Sequence, residues 1–240
     1  MKSTERHALK RNPFAEATFG VVEAFQQNRT RVMGGLAVLA VLLVIVAGVM
    51  AWRARQANQA GAALGVAVAM SQAQIVPIAS IPGATQPAGT YPSVQARAEA
   101  AIVAFTDVVT QHPGTPAARV ASFHLASELL AAGRAAEAAE AFASVADQAG
   151  PTVYGATARL GQAEALLAIG RTDEALEIYT DMAAVRDGVL PADGLLMQLG
   201  RASARAGKPA EARAAFQRVI DEFPESPFVE TARQQAVALN

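Results

Sequence analysis

The sequence has no cysteine and only three histidines, so it lacks much of what enzymes use for chemistry. Without thiols it can form no disulfide, no thiolate metal site and no cysteine nucleophile. None of His7, His112 and His124 has a second ligand at a metal spacing such as His-x-x-x-His. The serine-nucleophile motif G-x-S-x-G and the glycine-rich phosphate loops are also absent. We therefore predict that the protein is not an enzyme and has no catalytic residue, metal site or cofactor.

Aromatic residues are scarce as well, at 5% of the chain, whereas alanine is abundant. This composition favours closely packed helices over a β core. The net charge of −1 conceals an asymmetry, because residues 1–55 carry a net +5 and residues 95–240 a net −6. An acidic body offers no countercharge to a phosphate backbone, so we expect no nucleic-acid partner.

The run over residues 33–51 contains 19 residues without a charge or a strongly polar side chain. As a helix it would be about 28 Å long, close to the roughly 30 Å of a bilayer core. Residues typical of the headgroup layer flank it on both sides: Arg29, Arg31, Trp52, Arg53 and Arg55. The sequence therefore predicts a single transmembrane helix over residues 32–52, with the lipid bilayer as one partner.

A cleaved signal peptide is the alternative, with Val49-Met50-Ala51 as a small-x-small cleavage site. The apolar run is longer than a signal peptide requires, and a charged region of about 32 residues precedes it, which favours an anchor. The positive residues decide the orientation. Four of them near the start predict a cytoplasmic N-terminus and a body across the membrane: Lys2, Arg6, Lys10 and Arg11.

The rest of the first 94 residues divides into two segments. Residues 1–31 form a predicted cytoplasmic tail, with an amphipathic helix that begins near Asn12-Pro13. Residues 53–94 read as a helical extension followed by a linker rich in proline and glycine. Whether residues 53–75 continue the transmembrane helix stays open at this point.

Residues 95–240 contain an internal repeat with a period of 37 residues. Glycine, alanine, an aromatic residue and a medium-sized apolar residue each recur at this spacing, and four registers in step are strong evidence for a repeat architecture. The glycines are typical of helix ends, and an alanine four positions before an aromatic residue lies on the same helix face. The registers are Gly133, Gly170 and Gly207; Ala101, Ala138, Ala175 and Ala212; Phe105, Phe142, Tyr179 and Phe216; Val108, Val145, Met182 and Val219.

This pattern resembles the tetratricopeptide repeat, whose helix hairpins have a small residue, a large residue, alanine, an aromatic residue and proline in that order. Matches extend over residues 97–223, and a capping helix is predicted over residues 227–239. The departures are Ser203 in place of a large residue, Ser122 and Arg159 where the family prefers an aromatic residue, and a period of 37 rather than 34. The resemblance implies an all-α fold, in which one transmembrane helix precedes an α-solenoid of tetratricopeptide-like helix hairpins at residues 95–240.

Residues 216–236 are similar to repeats of bacterial proteins that act in outer-membrane assembly and Tol-associated coordination, and the whole layout resembles the YfgM-like translocon-associated family. The resemblance implies a protein–protein interaction scaffold of the bacterial inner membrane, with its body in the periplasm and an ancillary or chaperone-like role. Envelope proteins would be the partners, such as secretion translocon subunits or periplasmic chaperones. The alternative is a coordinator of outer-membrane or cell-wall assembly.

In the tetratricopeptide family the first helix of each repeat lines a binding groove for a helix or an extended segment. The matching positions here are Phe123, Ser127, Leu130, Leu160, Glu164, Leu167, Met197, Arg201 and Arg205. A structural interpretation stays open for several of them. Phe123, Leu160 and Met197 would then belong to the core, and Glu164 and Arg201 would form a structural ion pair.

Overall fold

The structure is a computed structural model that describes residues 29–78, 85–185 and 188–239. Within these ranges the chain is helical, and its one β-bridge joins Ile75 to Tyr91. The amphipathic helix predicted in the tail lies outside the described residues. The helices are α1 (Arg29–Ser71), α2 (Val94–Gln111), α3 (Pro116–Ala131), α4 (Ala135–Ala149), α5 (Val153–Ala168), α6 (Thr172–Ala184), α7 (Ala192–Arg205), α8 (Pro209–Glu222) and α9 (Val229–Ala238).

The chain divides into two compact units, Met1–Arg55 and Gln56–Asn240. The described part of the first unit is the beginning of α1, whose apolar side chains are exposed. Helix α1 is long and apolar enough to cross a bilayer, and a signal sequence near an N-terminus would meet the same criterion.

The second unit is a stack of antiparallel helices in which each helix from α2 to α9 packs on the next one along the chain. Helices α3 and α4, α5 and α6, and α7 and α8 form three hairpins, with α2 before them and α9 after them. The repeated alanines are fully buried, and the repeated aromatic residues are at most 3% exposed. The alanines and aromatic residues that recur every 37 residues therefore form the core of this unit, and the all-α repeat architecture is confirmed.

Each hairpin turns at one of the glycines that recur every 37 residues. Gly133, Gly170 and Gly207 have φ angles of +82°, +77° and +71°, in the left-handed region that favours glycine. The amide of the residue that follows each glycine donates back to a carbonyl five residues earlier, at 2.8–2.9 Å. These bonds satisfy carbonyls that the helix end leaves open, which confirms the predicted role of the glycines.

The packed unit begins before residue 95, because the later part of α1 contributes to its core. Ala67 is fully buried in a cluster with Phe105 and Ala121, and Leu64 packs against this cluster. The described residues of the predicted linker are also held in place, since Val76 donates its amide to the Tyr91 carbonyl at 2.8 Å. Helix propensity extends through residues 56–71, and burial against α2 explains why that helix stays ordered.

Candidate functional site

The nine predicted groove residues all lie on α3, α5 and α7, the first helices of the three hairpins. We call the surface that these three helices present the first-helix surface. Ser127, Leu130, Leu160 and Leu167 are half-buried, while Glu164, Arg201 and Arg205 are exposed. The repeat geometry thus brings the predicted residues to related positions, but it gives them different environments.

At α3 the first-helix surface is filled by aromatic side chains of the protein itself. The Phe123 ring lies 5.5 Å from the Phe142 ring and 5.4 Å from the Tyr154 ring, measured between centroids. The Tyr154 hydroxyl donates to the Arg119 carbonyl at 2.6 Å. Ser127 donates its hydroxyl to the Phe123 carbonyl of its own helix at 3.1 Å. Phe123 therefore acts as a packing residue, although part of its ring is accessible.

Met197 is a correction to the predicted groove. Its side chain is 2% exposed and packs in the core cluster with Leu196 and Phe216. The sequence did not distinguish the two interpretations, because an apolar residue at this position suits either a groove or a core. We therefore omit Met197 from the binding surface discussed below.

Glu164 and Arg201 were open to interpretation as a structural ion pair. Among the ion pairs that join described residues, none links Glu164 with Arg201, and both side chains are exposed. Their charges are therefore accessible to a binding partner.

A pocket of about 470 Å³ opens between α5 and α7, and we call it the α5–α7 pocket. It contains three of the predicted groove residues, Glu164, Leu167 and Arg205. Its volume falls in the range of roughly 300–1,000 Å³ that is typical of ligand pockets. The remaining lining residues are Ala168, Thr172, Tyr179, Gln198, Ala202 and Ala206.

Tyr179 lines the pocket together with Glu164 and Arg205 and is affected by both of their charges. The pKa of Tyr179 is raised to about 12, first by burial of the phenol and then by the Glu164 carboxylate, whereas the Arg205 guanidinium acts in the opposite direction. The phenol is therefore neutral at physiological pH and keeps a proton that it can donate. Tyr179 is buried with the core and also lines the pocket, and its hydroxyl is the polar group that it can offer there.

The repeat pattern predicts Tyr179 in the core and not in the groove, and it assigns no role to Thr172 or Gln198. A signal for Tyr179 was present, because the other three aromatic residues of its register are phenylalanines. A tyrosine hydroxyl at a buried position needs a polar neighbour, and that requirement indicates a polar site beside the core. Thr172 and Gln198 had no comparable signal, since the repeat pattern leaves their positions variable.

Ion pairs lie at the N-termini of the second helices of the three hairpins, α4, α6 and α8. Arg134, Arg171 and Lys208 each follow a turn glycine and face an acidic residue three positions later. The Arg134–Glu137 and Arg171–Glu174 hydrogen bonds lower the pKa of both carboxyl groups. Lys208 also contacts Asp173 of the preceding hairpin at 2.7 Å. None of the nine predicted groove residues takes part in these pairs.

No group of His, Asp or Glu side chains in residues 29–78, 85–185 and 188–239 is arranged to hold a metal ion. The α5–α7 pocket offers two opposite charges, hydrogen-bonding groups and the half-buried Leu167.

The tetratricopeptide repeat-like domain model matches this chain over residues 24–238. No curated protein matches the chain. Among solved structures, the chain is similar to crystal structures of nearly identical TPR-like repeats from a Podosopora anserina protein provisionally assigned as a kinesin light chain. One shares 18% identity with a TM-score of 0.51, and a single-residue variant of the same protein shares 19% with a TM-score of 0.49. Each match covers 60% of this chain and 77% of the other. At this identity the first match shows the fold alone.

Proposed function

Because this chain belongs to the tetratricopeptide repeat-like domain family, we propose that it is a membrane-anchored scaffold that binds other envelope proteins on its first-helix surface. Repeats of this family are generally non-catalytic and mediate protein–protein interaction, so the scaffold role follows from the family. The membrane anchor, the bacterial envelope and the choice of partners are our proposals.

The observation that carries the binding role is the α5–α7 pocket. Glu164 and Arg205 are exposed in it, and neither has an ion-pair partner among the described residues. Leu167 lines the same pocket and is half-buried, so an accessible apolar side chain lies beside the two charges. A segment of another protein would bury Leu167 and meet both charges.

The proposed anchor is supported by the first part of α1, in which large apolar side chains from Met33 to Trp52 are exposed. Water is a poor solvent for such a surface, whereas a bilayer of matching thickness suits it. Tethering raises the local concentration of the first-helix surface for membrane-bound partners, so weak individual contacts suffice. The basic residues near the start of the chain favour an N-terminus in the cytoplasm and repeats in the periplasm.

Chemical crosslinking in native membranes, followed by mass spectrometry, tests the choice of partner. Recovery of secretion translocon subunits or periplasmic chaperones supports an ancillary role in secretion. Recovery of Tol or outer-membrane assembly components would instead favour the coordinator function. A chain that forms no crosslink to any protein would contradict the scaffold itself.

A further inference from the structure

On the basis of the proposed scaffold function, we propose that the α5–α7 pocket selects an extended peptide segment that carries both a basic and an acidic side chain. The basic side chain lies against Glu164 and the acidic side chain against Arg205. Hydrogen-bonding groups on Thr172, Tyr179 and Gln198 meet the backbone between them.

The polarity of this pocket is not a requirement of the repeat. The equivalent positions of the preceding hairpin junction lie 37 residues earlier, where Ser127 corresponds to Glu164 and Ala168 to Arg205. The other three polar lining residues have nonpolar equivalents there: Ala135 corresponds to Thr172, Phe142 to Tyr179 and Gly161 to Gln198. The same helix packing is thus built without these five polar side chains.

At that preceding junction the equivalent residues Gly161 and Phe142 are closely packed. A methyl group on Gly161 would come within 2.6 Å of the Phe142 ring, so the ring lies directly against the backbone of α5. At the equivalent positions one repeat later, Gln198 and Tyr179 both line a cavity of about 470 Å³. Tyr179 is thus buried with the core and also borders the open space of the pocket, which Gln198 lines as well.

The charges of Glu164 and Arg205 determine which ligands the pocket favours. A ligand that carries only acidic groups is attracted by Arg205 and repelled by Glu164, and a purely basic ligand meets the reverse. Both charges act on the same phenol of Tyr179, so a ligand near that hydroxyl experiences both of them. A segment with one charge of each sign is attracted by both walls. Extended backbone places alternate side chains on one face, so such a segment can present both charges to the pocket.

Fluorescence anisotropy with synthetic peptides tests the proposal on the full chain in detergent micelles. The probes are fluorescein-labelled peptides with an Ala/Ser/Gly background that contain Lys and Asp two or four positions apart, Lys alone, Asp alone, or Gln and Asn in their place. We expect a peptide with both charges to bind about tenfold more tightly than any other probe, because charged hydrogen bonds to both walls are formed only there.

Variants locate the binding. Glu164→Gln and Arg205→Gln should each weaken the doubly charged peptide about three- to tenfold. The matched controls Glu177→Gln and Arg119→Gln remove exposed charges outside the pocket and should leave affinity unchanged. All four side chains are exposed, and circular dichroism checks that helicity is retained. Equal binding of the neutral peptide, preference for a single charge, or equal losses in the control variants would overturn the proposal.

The scaffold function has a separate readout. Crosslinks to a partner from Leu130, which lies on α3 outside the pocket, do not depend on Glu164 or Arg205. Crosslinks without selective peptide binding would support the scaffold function and refute the proposed peptide selection by the α5–α7 pocket. The absence of crosslinks from the first-helix surface would refute the scaffold as well.

Discussion

Tyr179 is the residue at which the repeat core and the candidate site meet. Its buried ring occupies the aromatic position of the 37-residue repeat, and the residue also lines the α5–α7 pocket. Since burial and the Glu164 carboxylate raise the pKa of Tyr179 to about 12, the folded protein holds this proton more tightly than the unfolded chain, where tyrosine has a pKa of about 10.

The first prediction concerns alkaline pH. The stability that the neutral Tyr179 phenol contributes is fully present below pH about 10 and is lost as the pH rises toward 12. We expect tyrosinate absorbance to show a step near pH 12 that is missing in Tyr179→Phe. Tyr154→Phe is the control and should keep that step. If Tyr179→Phe titrates as the parent protein does, the placement of this phenol is wrong.

Ser203 is a second residue whose environment yields a prediction. It occupies a position where the earlier hairpins have Leu129 and Leu166, it is fully buried, and its hydroxyl has no hydrogen-bond partner among the described residues. Ser203→Ala removes a buried polar group without a partner and should raise the free energy of unfolding by about 1 kcal/mol. Urea denaturation measures the change. Ser127→Ala, which removes a hydroxyl that is hydrogen-bonded, should give no such gain, and a loss of stability in Ser203→Ala would mean that a partner for the hydroxyl exists.

At the scale of elements, helix α7 contains two glycines with opposite requirements. A methyl group at Gly200 would lie 2.5 Å from the Phe216 ring, whereas the nearest side-chain atom to one at Gly194 is 4.0 Å away. Gly200 thus lets α7 and α8 approach closely, in the position where the earlier hairpins have alanine.

We predict that Gly200→Ala lowers the free energy of unfolding by about 1–3 kcal/mol, because the added methyl group overpacks the contact between α7 and α8. Gly194→Ala on the same helix should be neutral or stabilising by up to about 1 kcal/mol through helix propensity. Thermal unfolding followed by circular dichroism compares the two variants. Equal effects at both positions would contradict the close approach of the Phe216 ring.

The elements also show which features the sequence alone could predict. Ala138 and Phe142 are four residues apart on one helix face and recur every 37 residues, so local periodicity was enough to identify the core. The turn glycines were predictable for the same reason. The burial of Met197 was not predictable, because it depends on how α7 packs against the neighbouring helices. The α5–α7 pocket was not predictable either, since three helices from two hairpins supply its lining.

At the scale of the whole molecule, the proposed arrangement is a single membrane anchor followed by a repeat body. The family match covers residues 24–238, which include α1 as well as the repeats, but it says nothing about orientation or compartment. The proposed anchor therefore requires its own test.

We predict that the protein stays in the membrane during alkaline carbonate extraction, because the proposed anchor would bury the apolar surface of α1 in lipid. In vesicles with the cytoplasmic side outward, added protease should leave the repeat body intact until detergent is added. A mature protein that begins after Ala51 would show that the apolar run is a signal peptide. Digestion of the repeats in intact vesicles would reverse the proposed orientation.

The central claim is that the first-helix surface holds a partner. A photocrosslinking amino acid placed at Leu130 or Leu167, on that surface, and at Val103 of α2 or Glu177 of α6, away from it, tests this in living cells. We predict the same crosslinked partner from Leu130 and Leu167 and none from Val103 or Glu177. Crosslinks from Val103 and Glu177 alone would exclude partner binding on the first-helix surface, and so would crosslinks of equal yield from all four positions.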